Sequence, residues 1–236
     1  ASRLESLKNI TERYDGYGNS IRRVMEQKNR EPGIKGVVAD IIHVQKDYEV
    51  AIETALGGSI QNIVTDNEQT AKRMIGFLKK NRFGRATFLP LSNISGRGGL
   101  NQRDVLSEPG VVATANTLVN ADKEYSELVM YLLGRVLVVD NIDHAIAIGK
   151  KYRHSLRMVT IEGESLSPGG SMTGGAFKNN SNLLGRRREI EELERSVGIL
   201  RKELEETQKS IGENRSRRNV LRDTIAGFQQ KLRQQY

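Results

Sequence analysis

The C-terminal part of the chain carries apolar residues at alternating steps of three and four positions, with polar interruptions in the middle of the repeat. The seam residues are Ile190, Leu193, Val197, Leu200, Leu204, Thr207, Ile211, Asn214, Arg218, Leu221, Ile225, Phe228 and Leu232. An average spacing of about 3.5 residues keeps the seam on one side of a helix, which is typical of a coiled coil. We therefore predict that residues 186–236 form a returning coiled-coil arm that needs a partner helix.

The N-terminal end shows a shorter pattern of the same kind. Its matching residues are Leu4, Leu7, Thr11 and Tyr14, after which glycines interrupt the helix before an apolar helical face resumes. Residues 1–30 are predicted to form the incoming coiled-coil arm and a junction helix. Two arms that leave and re-enter one globular body must run antiparallel. Both ends of the chain lie inside helical patterns, which favours a segment of a longer protein.

Between the arms, the pattern changes to alternating strands and helices. Residues 36–44 are predicted to be one buried strand. Two later stretches, residues 60–89 and 135–161, each contain a strand closed by Asp-Asn, a helix ending in Lys-Lys, and a second strand. Asn is a good helix N-cap, and lysines complement the negative end of a helix. The similarity of the two stretches suggests an internal duplication.

These patterns predict an α+β (mixed α/β) globular body of two pseudo-repeated subdomains, flanked by antiparallel coiled-coil helices. The first subdomain with its Gly- and Ser-rich linker is expected at residues 31–110, and the second at residues 111–185. Residues 1–30 and 186–236 are the two arms.

The composition narrows the function classes. Cysteine is absent, which excludes disulfides, thiolate nucleophiles and Cys-ligated zinc. No stretch approaches the roughly 20 apolar residues of a membrane span. We expect a soluble cytoplasmic chain without a membrane partner.

The net charge of +8 lies mostly on the arms. Within the body, residues 69–103 contain no acid but several cations, namely Lys72, Arg73, Lys79, Lys80, Arg82, Arg85, Arg97 and Arg103. This stretch is either a positive surface for a polyanion or a solvated helix face balanced by acids from elsewhere in the fold.

No catalytic constellation is recognisable. His43, His144 and His154 lack metal-ligand spacing, and residues 95–99 lack the Lys-Ser/Thr ending of a P-loop. The glycine run at residues 169–175 lacks the dinucleotide fingerprint, because a charged heptad helix follows it. We predict a segment with no enzymatic activity and no cofactor or metal.

Four glycines in seven residues need a structural reason, because glycine is entropically costly in regular structure. One reason is close approach of a second copy, which would lay a strand beside Ser171 and Thr173. The other is an ordinary hairpin or flexible linker. Both interpretations are open at this point.

Five motifs together resemble the hinge domain of bacterial SMC (structural maintenance of chromosomes) proteins, and the similarity extends over residues 14–188. They are Tyr14-x-Gly16-Tyr17, Gly33-x-x-Gly36-Val37-Val38-Ala39-Asp40, Ala51-Ile52-Glu53-x-Ala55-Leu56-Gly57, Gly84-Arg85-Ala86-Thr87-Phe88-Leu89-Pro90-Leu91 and Gly163-Glu164-x-Leu166-Ser167-Pro168-Gly169-Gly170-x-Met172-Thr173-Gly174-Gly175.

The resemblance implies a homodimerisation hinge of a chromosome condensation and segregation ATPase, associated with the nucleoid. Its ATPase heads and accessory subunits would lie elsewhere on the full-length protein. The implied dimer seam is Gly169, Gly170, Ser171, Met172, Thr173, Gly174 and Gly175. The family also implies weak DNA binding without sequence specificity and with a preference for single strands. The matching basic residues near the hinge and arm junction are Lys178, Arg186, Arg187, Arg188, Arg22 and Arg23.

One alternative from another class remains. An α/β nucleotide-binding or enzymatic domain with a helical oligomerisation tail would show the same alternation of elements. Binding of ATP or of a dinucleotide by this segment would favour it.

Overall fold

The computed structural model describes residues 2–12, 14, 16–96, 98–175 and 183–235. Its contacts divide the chain into two compact units. One unit is Glu5–Ile190, which holds every sheet, and the other is Ala1–Leu4 with Glu191–Tyr236. Among the described residues, no helix combines the length and apolarity needed to cross a membrane.

The described helices are α1 (Ser2–Glu12), α2 (Asn19–Met25), α3 (Val38–Ile41), α4 (Glu49–Leu56), α5 (Glu68–Asn81), α6 (Ser126–Leu133), α7 (Ile142–Lys151) and α8 (Leu183–Gln235). Helix α8 runs for 53 residues without a break, which confirms the prediction of a long C-terminal helix. Large apolar side chains of its seam are exposed, among them Leu204 at 57% and Phe228 at 66%. The pairing of this arm with a partner helix stays a prediction.

The strands are β1 (Ile34–Val37), β2 (His43–Val44), β3 (Ile63–Thr65), β4 (Phe88–Pro90), β5 (Val111–Thr114), β6 (Val119–Asn120), β7 (Val136–Val139), β8 (Arg157–Thr160), β9 (Ser165–Leu166) and β10 (Met172–Thr173). They form a three-stranded sheet in the order β1-β3-β4 and a five-stranded sheet in the order β10-β9-β8-β7-β5. A small antiparallel pair, β2 with β6, ties the two halves of the body together.

The two similar stretches fold alike. Strands β3 and β4 are parallel around α5, and β7 and β8 are parallel around α7. The Asn67 side chain accepts hydrogen bonds from the N–H groups of Gln69 and Thr70 at 2.9 and 3.0 Å, and Asn141 accepts one from His144 at 2.9 Å. Both asparagines are therefore N-caps, as their position after each strand predicted.

The predicted single strand at residues 36–44 is wrong. The chain leaves β1, makes the short helix α3, and only then enters β2. The Asp40 carboxylate accepts a hydrogen bond from the Val37 N–H at 3.2 Å, while the Val38 N–H donates to the carbonyl of Asn62 at 3.0 Å. The Ile42 N–H closes the helical turn by donating to the carbonyl of Val38 at 3.3 Å. The turn therefore lies inside a run that is apolar enough to read as one strand.

Strand β7 is a continuous apolar run because both of its faces are covered. All four of its residues are buried. Val136 and Val138 pack in the main core, which spans both halves of the body, whereas Leu137 and Val139 pack in a second core under α7. Alternate side chains of a strand point to opposite faces, so a strand covered on both sides is apolar throughout.

Candidate self-association edge and basic surfaces

The glycine run forms the hairpin that joins β9 to β10. Gly169 and Gly170 have φ values of 91° and 92°, a left-handed conformation that favours glycine. The Ser167 N–H donates to the carbonyl of Ser171 at 2.9 Å, and the Gly169 N–H donates to the carbonyl of His154 at 2.8 Å. The hairpin therefore accounts for two of the four glycines within one chain.

The other two glycines follow β10. Gly174 lies so close to Glu164 that an added Cβ would stand 3.0 Å from the Cγ of that residue. Gly175 has φ of 134° and open space around it. Each of the two therefore has an explanation inside this chain, which is the close approach at Gly174 and the positive φ at Gly175. The assignment of residues 169–175 to a dimer seam stays a prediction.

Strand β10 lies at the outer end of the five-stranded sheet and, within the described residues, pairs with β9 alone. Hydrogen-bonded and non-hydrogen-bonded pairs alternate along an antiparallel ladder. The bond between Ser167 and Ser171 makes the next pair, Leu166 with Met172, a non-hydrogen-bonded one. The N–H and C=O of Met172 consequently point away from β9, and its side chain is 52% exposed. This edge can accept another strand.

The predicted arginines at the start of α8 face acidic residues of the body. Arg188 donates a hydrogen bond to the carboxylate of Glu49, and a guanidinium nitrogen of Arg187 is 4.0 Å from a carboxylate oxygen of Asp40. The Arg186 guanidinium lies near the backbone of Gly16. Lys178 lies outside the described residues. The three arginines lie at the junction between the hinge body and α8, where the family resemblance expects basic residues. Their role in DNA binding stays a prediction.

Three carboxylates at this junction were given no role by the sequence patterns, although Asp40 and Glu53 stand in the motifs that carry the family resemblance. Glu49 and Glu53 of α4 are 4% and 8% exposed. Glu53 accepts a hydrogen bond from the Leu184 N–H at 3.0 Å, and Asp40 accepts one from the Tyr14 hydroxyl at 2.8 Å. Burial raises the pKa of Glu53, partly offset by the N–H groups of Leu184 and Leu183. Two acids four residues apart on a mostly apolar helix were the available signal.

A second basic surface lies where α2 meets the end of α5. The Ser20 hydroxyl donates to the carbonyl of Arg85 at 2.7 Å, and the Arg23 guanidinium lies 5.1 Å from the ring centre of Phe83. These contacts pack α2, which carries Arg22 and Arg23, against the segment that directly follows α5. The exposed cations there are Lys79, Lys80, Arg82 and Arg85. We call these four residues, with Arg22 and Arg23, the α2/α5 corner.

The charges of the basic stretch at residues 69–103 are only partly balanced. Arg73 makes a 2.9 Å ion pair with Glu31. In contrast, no described residue forms a hydrogen bond or ion pair with the side chains of Lys79, Lys80, Arg82 or Arg85. Arg97 is outside the described residues. The two interpretations of this stretch therefore apply to different parts of it. The contacts favour a positive surface at the α2/α5 corner, whereas Arg73 lies on a face whose charge is balanced by an acid.

The three histidines belong to three different segments of the fold. A ring nitrogen of His144 is 2.7 Å from a carboxylate oxygen of Asp140, and His154 packs beside Gly170. His43 lies in β2, opposite Asn120. No group of three His, Asp or Glu side chains in the described part of the chain is arranged to hold a metal ion.

The family model of the SMC proteins flexible hinge domain matches residues 31–149, which cover half of the chain. The chain belongs to the SMC hinge family. Among curated proteins, it is 41% identical over 200 residues to the chromosome partition protein Smc of Bacillus subtilis and 40% identical over 199 residues to that of Lactiplantibacillus plantarum. Each match covers 83% of this chain but only 17% of the relative, so the chain spans a small part of those proteins.

Solved SMC hinges share the fold. An asymmetric dimer of the Geobacillus stearothermophilus SMC hinge domain is 37% identical with a TM-score of 0.79, and the match covers 85% of this chain and 82% of that one. The Pyrococcus furiosus Smc hinge domain with an extended coiled coil is 29% identical with a TM-score of 0.60, covering 89% and 78%. These matches confirm the mixed α/β hinge fold and favour it over a nucleotide-binding or enzymatic domain.

Proposed function

We propose that this chain is a homodimerisation hinge, which joins two copies of a chromosome partition protein through the β10 edge. The observation that supports the proposal is the outward N–H and C=O of Met172 at the end of a sheet. The related hinge of Geobacillus stearothermophilus is described as a dimer. Main-chain bonds along an open strand give register, and flanking glycines let another backbone approach closely.

In this proposal, the hinge contributes assembly and no catalysis. The ATPase activity, the accessory subunits and the association with the nucleoid in the cytoplasm belong to the full-length protein. The hinge would hold two copies together and join their coiled-coil arms. The subdomain limits at residues 31–110 and 111–185 are part of the same proposal, with one sheet in each.

The test replaces Met172 with proline. Proline removes the outward N–H of Met172 but none of the bonds between β9 and β10, so the fold is retained. We expect a dimeric mass by light scattering for the parent chain and a monomeric mass for Met172→Pro at the same concentration. An unchanged dimer with Met172→Pro would contradict the proposed edge.

A control is needed because the exposed seam of α8 can also self-associate. The double variant Leu221→Glu and Phe228→Glu places charges at exposed seam positions, and neither residue belongs to the unit Glu5–Ile190. The proposal expects this variant to remain a dimer. If it becomes a monomer while Met172→Pro remains a dimer, association belongs to the arm.

We also propose that the hinge binds DNA weakly and without sequence specificity, mainly at the α2/α5 corner. The observation that favours this surface is the set of cations without acidic partners, Lys79, Lys80, Arg82 and Arg85. Cations of this kind contact phosphates, and the energy comes largely from release of counterions. Among the described residues, exposed aromatic side chains are few, so electrostatics should dominate over base stacking.

The DNA test compares two double variants in a gel-shift or anisotropy titration with a single-stranded oligonucleotide. Lys79→Ala with Lys80→Ala should weaken binding and reduce the slope of log K against log salt by about 1.4, or roughly 0.7 for each cation lost. Arg187→Ala with Arg188→Ala tests the predicted junction arginines. If only the second pair reduces the slope, the junction is the DNA surface and the proposed corner is wrong. Duplex DNA of equal length tests the preference for single strands.

A further inference from the structure

The first turn of α8 is held to the hinge body by side chains of α3 and α4. The Glu53 carboxylate accepts the Leu184 N–H at 3.0 Å. One turn earlier on α4, Glu49 accepts a hydrogen bond from Arg188. Residues four apart lie on the same face of a helix, so one face of α4 presents both acids to the start of α8.

Both acids are buried deeply enough to need compensation. The first N–H groups of a helix have no partner within the helix, and the helix dipole makes its N-terminus favourable for negative charge. Glu53 is placed where it satisfies both conditions, since it caps α8 from another element. Glu49 is compensated by the guanidinium of Arg188, whose side chain is 25% exposed against 5% for Glu49.

We propose that Glu49 and Glu53 are positioning residues that lock the first turn of the returning arm to the hinge body, with Arg188 as their cationic partner. This arm anchor, made of Glu49, Glu53, Leu184 and Arg188, assigns Arg188 to attachment of the arm. The anchor depends on neither self-association nor DNA binding. Its success or failure is therefore separate from that of the two functions proposed above.

A third carboxylate extends the anchor to the incoming side. Asp40 accepts the Tyr14 hydroxyl at 2.8 Å and the Val37 N–H at 3.2 Å, and it lies 4.0 Å from Arg187. Tyr14 follows α1, Val37 ends β1, and Arg187 belongs to the first turns of α8. One carboxylate therefore contacts the chain as it enters the body and the chain as it leaves.

The test measures hydrogen–deuterium exchange of the full chain by mass spectrometry. The reporting peptide covers residues 183–190, and a peptide from β7 reports on the body. Glu53→Ala removes the cap, so exchange at residues 183–190 should rise roughly fivefold to tenfold. Exchange in β7 should rise by a clearly smaller factor, because the anchor acts mainly on the start of α8. Glu53→Gln keeps an acceptor oxygen of the same shape and should exchange like the parent chain.

Two further variants complete the design. Glu162 is exposed and has no polar partner among the described residues, so Glu162→Ala is the matched control and should change nothing. If Glu53→Ala does not fold, Arg188→Gln tests the same anchor and should also raise exchange at residues 183–190. Slow exchange there in a folded Glu53→Ala protein would overturn the proposal. An equal rise in β7 would overturn it as well, because the acid would then stabilise the body as a whole.

Discussion

The start of α8 carries a run of arginines, and the β9–β10 hairpin carries a run of glycines. The two regions differ in whether their polar groups find partners within the chain. At the start of α8, charged side chains are turned inward, and Arg188 meets the buried carboxylate of Glu49. At the hairpin, Ser171, Met172 and Thr173 are exposed, and the main chain of Met172 faces outward. The polar groups described at the start of α8 have partners within the chain, whereas the outward main-chain groups of Met172 have none among the described strands.

The difference shows why a basic motif does not by itself identify a binding surface. A cation that already has a buried acidic partner must give up that contact before it can bind a phosphate. A strand edge has no such cost, since its N–H and C=O groups bond only to water until a partner arrives. The same reasoning separates Arg188 from Lys79 and Lys80, which have no acidic partner among the described residues.

The largest effect should come from breaking the buried pair. Arg188→Ala leaves the Glu49 carboxylate buried without its cation, which should lower the free energy of unfolding by about 3 kcal/mol. Adding Glu49→Gln should recover part of that loss, because the unpaired charge is then removed. Urea denaturation of both variants checks this. Equal stability of Arg188→Ala and the parent chain would contradict this prediction. It would mean that the Glu49 carboxylate is solvated, as the groups of the hairpin are.

A smaller effect is expected at the hairpin. Gly169→Ala forces a side chain into the left-handed region and should cost about 1 to 2 kcal/mol. Gly98 has an ordinary φ and open space around it, so Gly98→Ala is the matched control and should be nearly neutral. Thermal unfolding measures the cost, and light scattering of the same samples shows whether the dimer is also lost. Loss of the dimer without loss of stability would assign Gly169 to the seam rather than to the turn.

The smallest effect concerns the pH dependence of the arm anchor. Burial raises the pKa of Glu53 above its ordinary value of 4.5. As pH rises from about 4.5 through this raised pKa, the unfolded chain loses the proton first, so the folded state becomes less stable. Glu53→Gln removes this contribution. The stability of the parent chain relative to Glu53→Gln should therefore fall as pH rises, in urea denaturation at several pH values.

The charged groups near Glu53 set the size of that effect. Glu49 raises the pKa of Glu53, whereas Arg186 lowers it. Tyr17 is also close enough that Glu53 contributes to raising its pKa. A constant stability difference between the parent chain and Glu53→Gln across pH 4.5 to 7.5 would mean that the carboxyl group is as well solvated as the exposed acids.

The sequence predicted local structure correctly where residues within a few positions of one another determine it. The caps Asn67 and Asn141 follow strands and precede helices, so residues within a few positions supply donor and acceptor. The heptad spacing of α8 is likewise a property of one helix. Residues 36–44 were misread because an apolar run fits a strand and a short buried helix equally well. The bond from Val38 to Asn62 spans too much sequence to be foreseen.

The sequence by itself determined the two strand–helix–strand units, the long C-terminal helix and the family. These features depend on periodicity, helix caps and short motifs, which act over neighbouring residues. Only the tertiary structure decided which charged side chains form ion pairs within the chain. The pairing of Arg188 with Glu49 joins residues 139 positions apart. Burial and long-range contact set the cost of a charge, and neither is written in the local order of residues.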